Sequence, residues 1–135
     1  MKRVEVDTFE KLVGQLMSVY EELAILSKKK PNDGINEFKL KFTNNLLARA
    51  NQFLGDNYAP FDDFEVFDEA AVPTISDVVF ILSQYLQCFE KYRADNVEIL
   101  GESWFWTVDP EPGDEPTRDG KVYIRTVAPK RLRKQ

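Results

Sequence analysis

Trp104-Phe105-Trp106-Thr107-Val108 and, beyond an intervening loop, Val122-Tyr123-Ile124-Arg125-Thr126-Val127 are the stretches whose reading decides the fold. Short runs of β-branched and aromatic residues suit the pleated, half-buried surface of a sheet, so two strands are expected there. The segments before them read mainly as helix. Helices followed by strands give an α+β domain, because a parallel sheet needs strands and helices in alternation. The predicted architecture, over residues 1–128, is three antiparallel helices in a bundle with a C-terminal two-stranded β-hairpin. Residues 2–6, Lys2-Arg3-Val4-Glu5-Val6, alternate in polarity and offer a short N-terminal strand as an addition.

The first helix is expected from Asp7 to about Lys29, where Phe9, Leu12, Val13, Leu16, Val19, Tyr20, Leu23 and Leu26 recur at helical spacing. Asp7 followed by Glu10 reads as a capping-box start, and Pro31-Asn32-Asp33-Gly34 as the break after it. A second helix spans about Asn36 to Leu54. Phe38, Phe42, Leu46, Ala50 and Phe53 share one face, Leu40, Leu47 and Leu54 widen it, and Gly55 offers a left-handed stop. Arg49 projects between Phe38 and Phe42, either at the rim or against a buried acid. The third helix begins near Thr74 or Ser76 and ends near Ala94 or runs on through Leu100. Its stripe includes Val78, Leu82, Tyr85, Leu86, Phe89 and Tyr92.

These three stripes are wider than packing on one neighbour requires. Margins at Met17, Val19, Leu40, Leu47, Val79 and Ile81 would meet water in a bare bundle, and a second copy of the chain is expected to cover part of them in a homodimer. Trp104 and Trp106 lie two apart and share a face, which closes the core beneath the helices. Between the strands, Asp109 to Lys121 holds three Pro, two Gly and five acids and reads as a long mobile connection.

Charge is segregated along the chain. Asp56 to Asp119 carries 16 Asp/Glu against 3 Lys/Arg, whereas Gly120 to Gln135 has 6 bases and no acid. A field of one sign selects partners of the other, and here it points to a basic one. Residues 129–135, with Lys130, Arg131, Arg133 and Lys134, are expected to form a flexible basic tail that pairs with phosphate or with the chain's own acids.

The same composition argues against other classes. No His is present, Cys88 is the lone cysteine, and no Gly-rich phosphate loop or nucleophile elbow occurs, so neither an enzyme nor a structural zinc site nor any cofactor is expected. The stripe position of Cys88 makes it a small buried hydrophobe. No secretory signal and no run of transmembrane length is seen, which gives a cytoplasmic expectation with no membrane partner. The acids Glu98, Glu102 and Asp109 around the Trp pair disfavour base stacking, and the third helix lacks base-reading residues, so direct nucleic-acid binding is not expected.

The segment from Gly55 to Pro73 is too long for an ordinary helix-to-helix link. Tyr58, Phe61, Phe64 and Phe67 recur at every third position, interleaved with Asp56, Asp62, Asp63, Glu65, Asp68 and Glu69. Two readings are open. The rings plug the apolar faces of the bundle while the acids stay solvated, or Phe61, Asp62, Asp63, Phe64, Glu65, Phe67, Asp68 and Glu69 form a docking surface for a basic protein. The acids lack the glycine turn and ligand spacing of an EF-hand loop, so calcium is disfavoured. The functional expectation is a small non-catalytic protein-binding or regulatory module. The alternative is an acidic mimic of a nucleic-acid backbone that occupies a DNA- or RNA-binding protein, with a small enzyme as the more distant one.

Overall fold

In the computed structural model, which describes residues 1–115, 117 and 119–130, three helices precede three antiparallel strands, the α+β order expected. The helices are α1 (Arg3–Lys29), α2 (Glu37–Tyr58) and α3 (Ile75–Asn96). The strands are β1 (Val97–Leu100), β2 (Ser103–Val108) and β3 (Val122–Thr126), paired in that order. A single 3₁₀ turn, Glu69–Ala71, lies between α2 and α3.

Residues 2–6 do not form a strand. Arg3 onward is helical, because Val6 continues the Phe9, Leu12 and Leu16 stripe into the core, a spacing that outweighs a two-residue alternation only five residues long. The Asp7–Glu10 capping box is likewise absent as a helix start; the Lys2 N–H donates instead to Glu5 Oε1 at 3.0 Å. The extra strand comes from the other end. Helix α3 stops at Asn96, and Val97–Leu100 turns back through Gly101, at φ 64°, to pair with β2, Val97 opposite Trp106. The sheet therefore has three strands, with β2 central.

Contacts fix the helix directions. α1 runs antiparallel to α2, with Lys39 against Glu22 at 2.8 Å and Arg49 donating to Gln15 at 3.2 Å. It also runs antiparallel to α3, since Arg93 reaches Glu10. Helices α2 and α3, however, point the same way: Tyr85 meets Asn51 and Tyr58 meets Asp95, while the chain just before each helix is joined by a bridge between Gly34 and Thr74. The bundle is thus not antiparallel throughout, and the cause is the 59–74 connector, which carries the chain back along α2 before α3 begins. Near its end Val72 holds φ 36°, a left-handed conformation that costs a β-branched residue about 1–3 kcal/mol. A Cβ on Gly34 would stand 2.8 Å from Val72 Cγ1, so any larger residue there would have to push the Val72 side chain aside.

Helix α2 is rotated from its expected phase. Leu40, Thr43, Leu46, Leu47, Ala50 and Leu54 are buried, whereas Phe38 is 80% exposed and Phe42 43%. Two apolar stripes compete on this helix, and the Leu stripe faces both neighbours. The helix breaks at Gly55, whose φ of 63° is the expected left-handed stop, before one further turn to Tyr58. Leu40 and Leu47 are buried within one chain, and Met17, Val19, Val79 and Ile81 are half-buried against its core, so these margins are covered without a second copy.

Sheet and helices meet at a polar knot inside an aromatic cluster. Arg93 is 3% exposed and Glu90 6%. The Arg93 guanidinium donates to Glu90 Oε2 at 3.3 Å, to Glu10 Oε1 at 2.7 Å and to Thr126 Oγ1, and lies 4.9 Å from the Phe9 ring centroid. Glu10 Oε1 also accepts from Trp106 Nε1 at 3.1 Å, and Glu90 Oε1 from the Lys130 N–H at 3.0 Å. Trp106 is fully buried and packs edge-on against Phe9 at 4.9 Å; Trp104 on the same face is half-buried. The loop after β2 is anchored too, since Arg3 pairs with Glu111 and with both oxygens of Asp114. Of the 129–135 tail, Lys130 is held by this bond to Glu90, and residues 131–135 lie outside the described residues.

Removing one partner of a buried ion pair strands the other in a low-dielectric site. Arg93→Met is accordingly expected to cost about 3–5 kcal/mol in urea unfolding, with Glu90→Gln in the same chain recovering part of that loss by neutralising the stranded carboxylate.

Candidate functional site

The connector lies against α2 because two amides on that helix catch its backbone. Asn44 exchanges two hydrogen bonds with Phe67, donating to its carbonyl and accepting from its N–H, each at 2.9 Å. Asn51 donates to the Glu65 carbonyl at 2.9 Å and accepts from the Tyr85 hydroxyl at 2.6 Å. These asparagines are seven residues apart, two helical turns, so they present the same side of α2 to the connector. The sequence reading passed over both. Their signal was two short amides at heptad spacing beside a leucine stripe.

The rings follow as a chain. Phe61 and Phe64 pack edge-to-face at 5.9 Å, Phe64 and Phe67 at 5.1 Å, and Phe61 reaches Tyr85 at 6.4 Å. All three phenylalanines are half-buried against the core, while Asp62, Asp63, Glu65, Asp68 and Glu69 are exposed. The three-residue spacing thus separates rings on the bundle side from carboxylates on the solvent side. Burial also raises the pKa of the Tyr85 hydroxyl, opposed by its bond to Asn51, and pushes the Cys88 thiol up, so Cys88 remains a protonated, weakly nucleophilic side chain.

Between the connector and the last turns of α2 lies a groove of about 390 Å³. Phe61 and Phe64 line it together with Ala48 and Ala59, and Asn51, Gln52, Asp56, Asp62 and Glu65 supply its polar groups. Four of the eight residues singled out from sequence, Phe61, Asp62, Phe64 and Glu65, therefore meet in one concavity. The others do not. Asp63 is exposed outside it, Phe67 sits at Asn44, and Asp68 accepts from the Ala70 N–H at 2.9 Å to cap the 3₁₀ turn. Glu69 lines a separate cavity of about 180 Å³ with Ile35, Glu37, Leu40 and Val72. Asp56 enters the groove from the turn after Gly55.

Among the described residues no group of three or more carboxylates or thiols is arranged to hold a metal ion, and no helix is long and apolar enough to cross a membrane. A second groove, about 440 Å³, runs along the opposite flank of α2, where Lys11 and Arg49 stand beside Leu12 and Phe53. No protein family, no curated protein and no solved structure matches the chain.

With rings inward and acids outward, the two sets of side chains should separate in a stability measurement. Replacing Asp62, Asp63, Glu65, Asp68 and Glu69 by their amides is expected to leave the unfolding midpoint nearly unchanged. Phe64→Ala should cost about 2 kcal/mol, below the roughly 3–5 kcal/mol of a fully buried ring, as chemical unfolding of the two variants would show.

Proposed function

We propose that the protein is a small, non-catalytic binding module of the cytosol whose groove between α2 and the connector receives a basic segment of another protein. The observation that carries this reading is the pairing of an apolar lining, Phe61 and Phe64, with three carboxylates, Asp56, Asp62 and Glu65, in one concavity. An arginine side chain suits such a site. Its stem lies on the rings, its guanidinium stacks on or borders a ring face, and its five donors take carboxylate oxygens in pairs. Ring edges among the acids favour this over mimicry of a phosphate backbone, which calls for rows of carboxylates without apolar anchors between them.

The connector is suited to this role because its acids carry no part of its own attachment to α2. Asn44, Asn51 and the rings hold it, which leaves Asp62 and Glu65 open to a partner. Charges on the rim of such a site raise the association rate and make it sensitive to salt.

An arginine-rich peptide titrated into the labelled protein is expected to shift the amide signals of Asn51, Gln52, Asp62 and Glu65, with affinity falling as salt rises. The Asp56→Asn/Asp62→Asn/Glu65→Gln variant should bind at least about tenfold more weakly and lose most of that salt dependence. Unchanged affinity in that variant would remove the groove from the functional account.

A further inference from the structure

Helix α2 presents a continuous exposed ridge between its two grooves: Phe38, Lys41, Asn45, Ala48 and Gln52 all face solvent. Phe38, 80% exposed at the first turn, is the least covered large apolar side chain among the described residues. On one flank lie Asp56, Asp62 and Glu65; on the other, Lys11 and Arg49. Gln52 lines both grooves, so the opposite charges stand at the same height along the helix. Among the described residues none of these five groups takes part in an ion pair.

We propose that a second copy of this chain docks on the α2 ridge, the two helices side by side and parallel, so that the acidic groove of each copy faces Lys11 and Arg49 of the other. Symmetry decides the direction. A two-fold axis along α2 exchanges left and right flanks while preserving height, and therefore sets acid against base twice in one interface. A two-fold axis across the helix would set acid against acid and base against base, which is repulsive. The parallel arrangement also brings Phe38 of each copy to the same end of the ridge, where the two rings cover one another. The inference rests on reading the acidic groove as a binding surface and gives it a partner, the chain's own basic flank.

Charge reversal tests this through heterodimer formation. Light scattering at about 100 μM and low salt is expected to give twice the 15.7 kDa chain mass, decreasing towards the monomer as salt rises. Lys11→Glu/Arg49→Glu and Asp56→Lys/Asp62→Lys should each be monomeric under the low-salt condition, since each then sets like charges together, and an equimolar mixture should form a one-to-one heterodimer. Phe38→Ala, at an exposed position, should weaken the dimer while leaving the melting temperature of the monomer unchanged. If a reversal variant does not fold, this substitution decides the matter. A wild-type monomer in low salt, a dimer indifferent to reversal or to Phe38→Ala, or a mixture of folded variants that stays monomeric overturns the proposal. The Lys11→Glu/Arg49→Glu chain keeps its acidic groove intact and unoccupied, so titrating it with the arginine-rich peptide tests the groove separately. Binding there with a monomeric wild type sinks the dimer alone, and no binding there sinks the groove reading.

Discussion

Helices α2 and α3 run in the same direction, and a chain can join two parallel helices only by travelling back the length of the first. The 22 residues of α2 rise about 33 Å at 1.5 Å per residue. Residues 59–74 would rise only about 24 Å as a continuous α-helix but reach about 53 Å when fully extended, so the return needs a largely non-helical segment, and the connector holds one 3₁₀ turn and no longer helix. An extended segment laid on a helical bundle has one side against apolar surface and one side in water. Phe61, Phe64 and Phe67 occupy the first and the intervening acids the second, so the two-sided character of the connector follows from a topological requirement, and the residues chosen for its outer side make that side acidic.

A second constraint holds the sheet. Glu10 on α1, Arg93 and Glu90 on α3, Trp106 on β2 and Thr126 on β3 share one hydrogen-bonded knot, with the Arg93 guanidinium close to the Phe9 and Trp106 rings. The buried Arg93–Glu90 pair adds little to stability against apolar replacement of both members together, but it accepts few arrangements of its partners. The knot therefore sets where the sheet sits on the helices. The connector is fixed independently by Asn44 and Asn51, so the proposed binding groove does not depend on the sheet for its shape.

How much of this was legible depended on range along the chain. The strands at Trp104–Val108 and Val122–Thr126, the left-handed stop at Gly55 and the Thr74 cap of α3 are local, and their residues spell them out. Val97-Glu98-Ile99-Leu100 was harder, because it follows α3 without a break and four residues fit either period. Val4 and Val6 fit a strand or a helix equally in so short a window. The phase of α2 was ambiguous because Phe and Leu stripes overlap on one helix, and only the placement of α1 and α3 selects the Leu stripe. The connector stood out by its spacing, with Asp56 among its acids, yet the asparagines that hold it, and Gln52 that lines the groove beside them, belong to α2. Glu10 and Arg93 lie 83 residues apart, and nothing in the spacing of either announces the other.

The central claim is that rings and asparagines hold the connector while its acids are left for a partner. Native-state hydrogen exchange at the Phe67 amide, which donates to Asn44 Oδ1, measures this attachment directly. In a chain with Asp62, Asp63, Glu65, Asp68 and Glu69 all changed to amides, protection at Phe67 should match the wild type, whereas Asn44→Ala should abolish it without global unfolding. Loss of Phe67 protection in the acid-free chain would show that the carboxylates themselves hold the connector in place, and would contradict the account.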